Sequence, residues 1–105
     1  MDKISSEVIE SIKKLLLLLE ENDIHIKQAL LFGSYAKGTN DSDSDIDLAI
    51  VSDSFSGNRF VDKEIIRKYV VYVNSDISPI PFRTEDFSEK NLLAKEILSY
   101  GIRIV

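Results

Sequence analysis

The reading of this chain turns on Ala29-Leu30-Leu31-Phe32-Gly33-Ser34-Tyr35-Ala36-Lys37-Gly38 and, shortly after it, Asp45-Ile46-Asp47-Leu48-Ala49-Ile50-Val51. An apolar, strand-like run leads into Gly33, and a second such run leads away from Asp47. Between them lie nine residues, Thr39 through Asp47, four of which are aspartates: Asp41, Asp43, Asp45 and Asp47. Glycine after a strand lets the backbone turn sharply and lets a ligand come close. Ser34 then opens a short helical turn with outward-pointing N–H groups, a position that binds phosphate, and Lys37 adds positive charge. On a strand, side chains at i and i+2 share a face, so Asp45 and Asp47 project together while Ile46 and Leu48 face the core. Two carboxylates side by side repel unless a cation lies between them. A divalent-metal site and a solvated acidic loop edge, with Asp45 capping a turn, both follow from that pair alone.

The remaining composition narrows the chemistry. The 105 residues fit one domain, 1–105, with one modest core. Cysteine is absent and His25 is the lone histidine, so any divalent ion is held by oxygen, which favours Mg²⁺ or Mn²⁺ over Zn²⁺. The net charge of −5 argues against nucleic acid as a partner bound through its phosphate backbone, but not against a nucleotide bridged by a metal. Met1 to Ser5 is not a signal peptide, and Leu15 to Leu19 is too short to span a bilayer. A cytoplasmic protein with no membrane association is the expectation.

Outward from the central stretch, the pattern predicts α-β-α-β-α-β-α-β. A first helix runs from Ser5 to about Glu21, capped by Ser5 or Ser6 and ended by Asn22, with Val8, Ile12, Leu15 and Leu19 on one stripe. Five consecutive leucines go all the way round that helix, so some face away from the stripe, either under loops or toward a partner. Strands are expected over Ile24–Phe32 and Asp45–Val51, with a short helix over Ser34–Lys37 between them. A third helix runs from Phe60 to about Tyr69 with Val61, Ile65, Ile66 and Tyr69 on its face; Val70 to Val73 reads as helix end or strand. Asp76 to Phe82 is extended, and Pro79 and Pro81 end that strand or put it at an edge. Thr84 or Ser88 caps a last helix to about Ser99, with Leu92, Ile97 and Leu98 as its apolar face and Leu93 and Tyr100 nearby, stopped by Gly101. Ile102 to Val105 can add a short strand. The order implies a layered α/β (α+β) domain.

The combination of strand, Gly-Ser turn, short helix, acidic loop and a strand opening with Asp-x-Asp resembles the nucleotidyltransferase superfamily typified by DNA polymerase beta, and most closely its minimal MNT members. Their pattern is Gly-Ser, ten residues, then Asp-x-Asp; here Gly33-Ser34 is followed by the ten residues Tyr35 to Ser44 and then Asp45-Ile46-Asp47. The fuller pattern, Gly-Ser-x-Ala-Arg-Gly followed by Ser-Asp-x-Asp-Leu, is met by Gly33, Ser34, Ala36, Gly38, Ser44, Asp45, Asp47 and Leu48. Lys37 stands where arginine is usual, which keeps the charge without the bidentate geometry.

The resemblance implies a nucleotidyltransferase fold, a small mixed β-sheet with flanking helices. It implies transfer of a nucleoside monophosphate from a triphosphate to a hydroxyl. Asp45 and Asp47 would ligate two Mg²⁺ ions (Mn²⁺ being the substitute), one of them shared with Asp76 as the third carboxylate and metal ligand, which could also take the acceptor's proton, with Glu85 or Asp86 as its fallbacks. Gly33, Ser34 and Lys37 would hold the nucleotide's phosphates. The resemblance further implies ATP as donor and a tyrosine of a HEPN-domain protein as acceptor, in a toxin–antitoxin pair. The chain ends after the core, so an acceptor-binding domain is expected from a partner. The alternatives are transfer to a small hydroxylated molecule in a site made by a homo-oligomer, and a non-enzymatic antitoxin that binds its toxin. Tyr35 either stacks on a base or packs.

Overall fold

The computed structural model describes residues 4–105. Helix α1 (Ser6–Glu21) begins at the Ser5 cap, whose hydroxyl accepts from the Val8 N–H at 3.2 Å, and ends at Asn22. Strand β1 (Ile26–Phe32) runs into α2 (Gly33–Lys37), which stops at the left-handed Gly38. Strand β2 (Ile46–Ser52), α3 (Arg59–Val73), β3 (Ile77–Phe82), a 3₁₀ turn over Thr84–Asp86, α4 (Leu92–Tyr100) and the two-residue β4 (Ile102–Arg103) follow. The four strands form one mixed sheet in the order β3-β2-β1-β4, with β2 and β3 parallel and the other pairs antiparallel. This is the α+β architecture expected, and Pro79 and Pro81 sit on an edge strand as their missing N–H groups require.

Alternation along the strands gives the sheet two buried faces. Leu31, Ile46, Leu48 and Ile50 pack with Ile12, Leu15 and Leu19 of α1 and with Ile66 and Val70 of α3. Leu30, Phe32, Ala49 and Val51 pack with Phe82, Phe87 and the α4 residues Ala94 and Ile97. Each fully buried aliphatic side chain stabilises the fold by about 1.5–3 kcal/mol. Among the described residues, no helix is long and apolar enough to cross a membrane.

The helical faces depart from the sequence reading in instructive ways. Of the five leucines, Leu15, Leu16 and Leu19 are buried and Leu17 is exposed, so α1 presents a single outward leucine rather than an apolar patch. The region Val70–Val73 continues α3. The buried stripe of α3 is Asp62, Ile66 and Val70, not one led by Val61 and Ile65, which are exposed. The cause is Asp62: its carboxylate accepts from Ser56 N–H, Ser56 O–H and Gly57 N–H at 2.9–3.1 Å, tying down the preceding loop. The last helix starts later than predicted, because Asn91 rather than Thr84 or Ser88 caps it, accepting from Leu93 and Ala94. That start turns Leu92 and Leu98 outward and buries Ala94 with Ile97.

Candidate active site

Strand register brings the motif together. Antiparallel pairing sets Phe32 opposite Asp47, and parallel pairing sets Ile46 beside Ile77 and Asp47 beside Ser78. The end of β1 and the starts of β2 and β3 therefore meet at one end of the sheet. Gly33 follows Phe32 with φ +70°, the left-handed region that L side chains rarely adopt, so α2 can leave the sheet at once. The Asp47 carboxylate fills the space where a Cβ on Gly33 would stand. Ser34 opens the helical turn, half-buried, and its carbonyl accepts from the Thr39 N–H at 2.9 Å. Tyr35 packs against the core on the α1–α3 side of the sheet.

Asp45 lies just before β2 and is exposed, whereas Asp47 is half-buried. Loss of hydration pushes the Asp47 carboxyl above the usual carboxylate range, and the neighbouring Asp45 charge adds to the rise. Asp41 is spent locally, its Oδ1 accepting from the Asp43 N–H at 2.9 Å and its N–H donating to Ser44 Oγ at 2.9 Å, while Asp43 is exposed. They belong to the solvated spacer.

Asp76 stands immediately before β3, where its carbonyl accepts from the Ile46 N–H at 2.9 Å. It thus sits across from Asp45 at the motif's end of the sheet. Glu85 and Asp86 lie past the opposite end of β3, where Phe82 pairs with Val51. Both engage Arg83 there, Asp86 at 2.8 Å and Glu85 at 3.4 Å. The hydrogen bond from Arg83 holds the Asp86 carboxyl below its ordinary range. The sheet puts Asp45, Asp47 and Asp76 at one end and the two fallbacks at the other.

Sequence reading missed Tyr100. The pairing of Leu31 with Ile102 carries the end of α4 to the turn, where the Tyr100 hydroxyl accepts from the Gly33 N–H at 3.0 Å. The Lys37 ammonium sits 4.7 Å from the Tyr100 ring centroid, a cation–π contact. One tyrosine thus touches both ends of α2. The only sequence signal was its position before Gly101, which says nothing of a contact 67 residues away.

The donor set suits a hard cation. Among the described residues no three acidic or histidine side chains form a ready-made metal cage. Mg²⁺ seldom needs one: it binds through one or two carboxylates, with water and substrate phosphates completing the shell. A repelling pair with one raised carboxyl fits that mode, and His25, hydrogen-bonded to Glu20 at the start of β1, is remote from it.

Residues 12–104 match the family model described as a nucleotidyltransferase domain. The chain belongs to the nucleotidyltransferase domain family. A curated relative, the protein adenylyltransferase MntA of Shewanella oneidensis, is 28% identical over 88 residues, covering 84% of this chain. The chain spans 60% of that relative's length. Two solved structures share the nucleotidyltransferase fold. A toxin–antitoxin complex with AMP-PNP aligns with TM-score 0.66 and 24% identity, over 92% of this chain and 72% of that one. A mutant of the toxin–antitoxin MntA-HpeT aligns with TM-score 0.63 and 21% identity, with the same coverage.

Proposed function

We propose that this chain is a Mg²⁺-dependent nucleotidyltransferase that moves AMP from ATP to a tyrosine hydroxyl of a HEPN-domain toxin. The observation that carries the reading is the register that sets Asp47 against Gly33 and puts Asp45 and Asp76 at the same end of the sheet. The protein adenylyltransferase relative supports the choice of AMP and a protein acceptor, and the toxin–antitoxin likeness supports the kind of partner.

Asp45 and Asp47 would hold the metal, which when bound neutralises the triphosphate and acidifies the attacking hydroxyl. The Gly33 N–H is satisfied by Tyr100, so the N–H groups that follow it in the first turn of α2, without intrahelical partners, face the terminal phosphates beside the Ser34 hydroxyl. Lys37, fixed over Tyr100, offsets the charge of the leaving pyrophosphate. Asp76 orients the acceptor hydroxyl and takes its proton. Catalysis then rests on positioning and electrostatics.

Incubation with ATP, Mg²⁺ and the protein encoded by the adjacent reading frame, followed by mass spectrometry, tests this. The reading expects a gain of AMP on a tyrosine of that protein. ATP binding without any mass gain would point instead to a small-molecule acceptor or a purely binding antitoxin.

A further inference from the structure

The sheet ends in two outer strands, β3 on one side and β4 on the other. In a parallel ladder the residues of a strand alternate, one turning its N–H and C=O toward the neighbour and the next turning them away. The Ile46 N–H donates to the Asp76 carbonyl, and Ile46 pairs with Ile77. Ser78, Ile80 and Phe82 therefore bond to β2, and Ile77, Pro79 and Pro81 turn their backbone groups outward. The Ile77 N–H is already taken, donating to the Asn74 carbonyl at 3.1 Å. Pro79 and Pro81 have no N–H to offer. From Ile77 to Pro81 the outer edge of β3 thus presents carbonyls and no available donor.

The two prolines thus fall at both positions where a further donor would face out. A bare edge of six residues, the length of β3, is otherwise a template for another strand. The opposite edge needs no such device, because β4 is only two residues long. What the β3 edge borders gives its closure a consequence. A cavity of about 520 Å³ lies between α3 and the first half of β3, lined by Arg67, Ile77, Ser78 and Pro79 among others, and it reaches Asp45 and Asp76. A strand laid on β3 would run along that cavity and past Asp76.

We infer that Pro79 and Pro81 close the β3 edge to strand addition by a second copy of this chain, and so keep the cavity beside Asp45 and Asp76 open. Two copies meeting edge to edge, β3 against β3, would set carbonyls against carbonyls. Those groups would lose water and gain no hydrogen bond in return, which makes the pairing unfavourable. The closure is a property of the sheet and holds whichever group the carboxylates help to transfer.

The test restores the donors. Pro79→Val combined with Pro81→Val puts two N–H groups on the outer edge of each copy and keeps residues suited to a strand. Sedimentation velocity over a concentration series should show the double variant self-associating at least about tenfold more tightly than wild type, since each added hydrogen bond contributes about fivefold. Pro81→Val alone restores one donor and should show a smaller gain, which carries the test if the pair does not fold. Ser78→Val is the control: its N–H faces β2, so the outer edge stays without a donor and the variant should sediment as wild type. On association the new amides at positions 79 and 81 should become protected from hydrogen exchange. The amides of Arg67, Asp76 and Ser78 should shift in NMR spectra, while that of Tyr100 stays in place. Closure by the prolines is overturned if the folded variants sediment as wild type at every concentration, if Ser78→Val associates as strongly as they do, or if the new amides exchange freely in the associated state.

Discussion

The Asp47 carboxylate lies against the Cα of Gly33, in the volume that any side chain there would claim. The turn and the acid are thus one unit, built from the Phe32–Asp47 pair of an antiparallel ladder. Gly33→Ala meets both a left-handed backbone and an occupied space. Urea unfolding should show a loss of about 1–3 kcal/mol, and Mg²⁺-dependent ATP binding should fall with it. A variant with unchanged stability and binding would show that the turn tolerates displacement of Asp47.

Asp47 should oppose folding when ionised. Its folded pKa is raised by desolvation and by Asp45, so the native state holds its proton more tightly than the unfolded chain does. The stability this contributes is present below the unfolded pKa and disappears as pH rises through the folded value. Asp47→Asn should therefore melt at or above the wild-type temperature at neutral pH without metal, and the difference should close in acid below the ordinary aspartate range. Mg²⁺ should raise the wild-type melting temperature and leave the variant's unmoved. A variant that melts well below wild type without metal would make Asp47 a structural anchor.

Tyr100 contributes two separable contacts, the hydroxyl to Gly33 and the ring to Lys37. Tyr100→Phe removes the first and keeps the second. A lost hydrogen bond of about 1 kcal/mol corresponds to roughly a fivefold rise in KM for ATP. Tyr100→Leu removes both contacts and should cost more. Steady-state kinetics in which Phe and Leu behave alike would assign the effect to the Gly33 hydrogen bond alone and leave the Lys37 contact without a role.

The third carboxylate separates by position. Asp76→Asn should lower transfer by about 10²–10⁴-fold, the range of a lost general base, while the melting temperature holds. Asp86→Asn should do the reverse. The Asp86 pKa is held down by Arg83, so its stabilisation is present above the unfolded pKa and lost as pH falls through the folded one. That variant should melt lower at neutral pH, converge with wild type in acid, and keep its activity. Inactivity of Asp86→Asn with normal folding would move the third acid to the far end of the sheet.

What the sequence discloses is local. Glycine at Gly33, alternation through Asp45-Ile46-Asp47 and prolines at Pro79 and Pro81 each constrain their own backbone, and the turn, the second strand and the edge strand all follow. Asp76 is a candidate through the family resemblance alone; the parallel pairing of β3 with β2, which carries it to the motif's end of the sheet, is not written in any local pattern. Tyr100 was not legible, because its contact depends on β4 docking against β1, which no local pattern announces. The faces of α3 and α4 were misread where caps compete. Thr84, Ser88 and Asn91 are comparable caps in sequence, and only packing of Ala94 and Ile97 against the sheet selects Asn91. The burial of Asp62 is not legible either, since it depends on contacts with Ser56 and Gly57 of the preceding loop.

The most direct test of the central claim compares ATP labelled at its α-phosphate with ATP labelled at its γ-phosphate, each with Mg²⁺ and the adjacent reading frame's protein. Nucleotidyl transfer predicts α-label bound covalently to that protein, γ-label released only as pyrophosphate, and neither product from a variant carrying both Asp45→Asn and Asp47→Asn. The account would be contradicted by γ-label on the protein, or by α-label transfer that survives in the double variant.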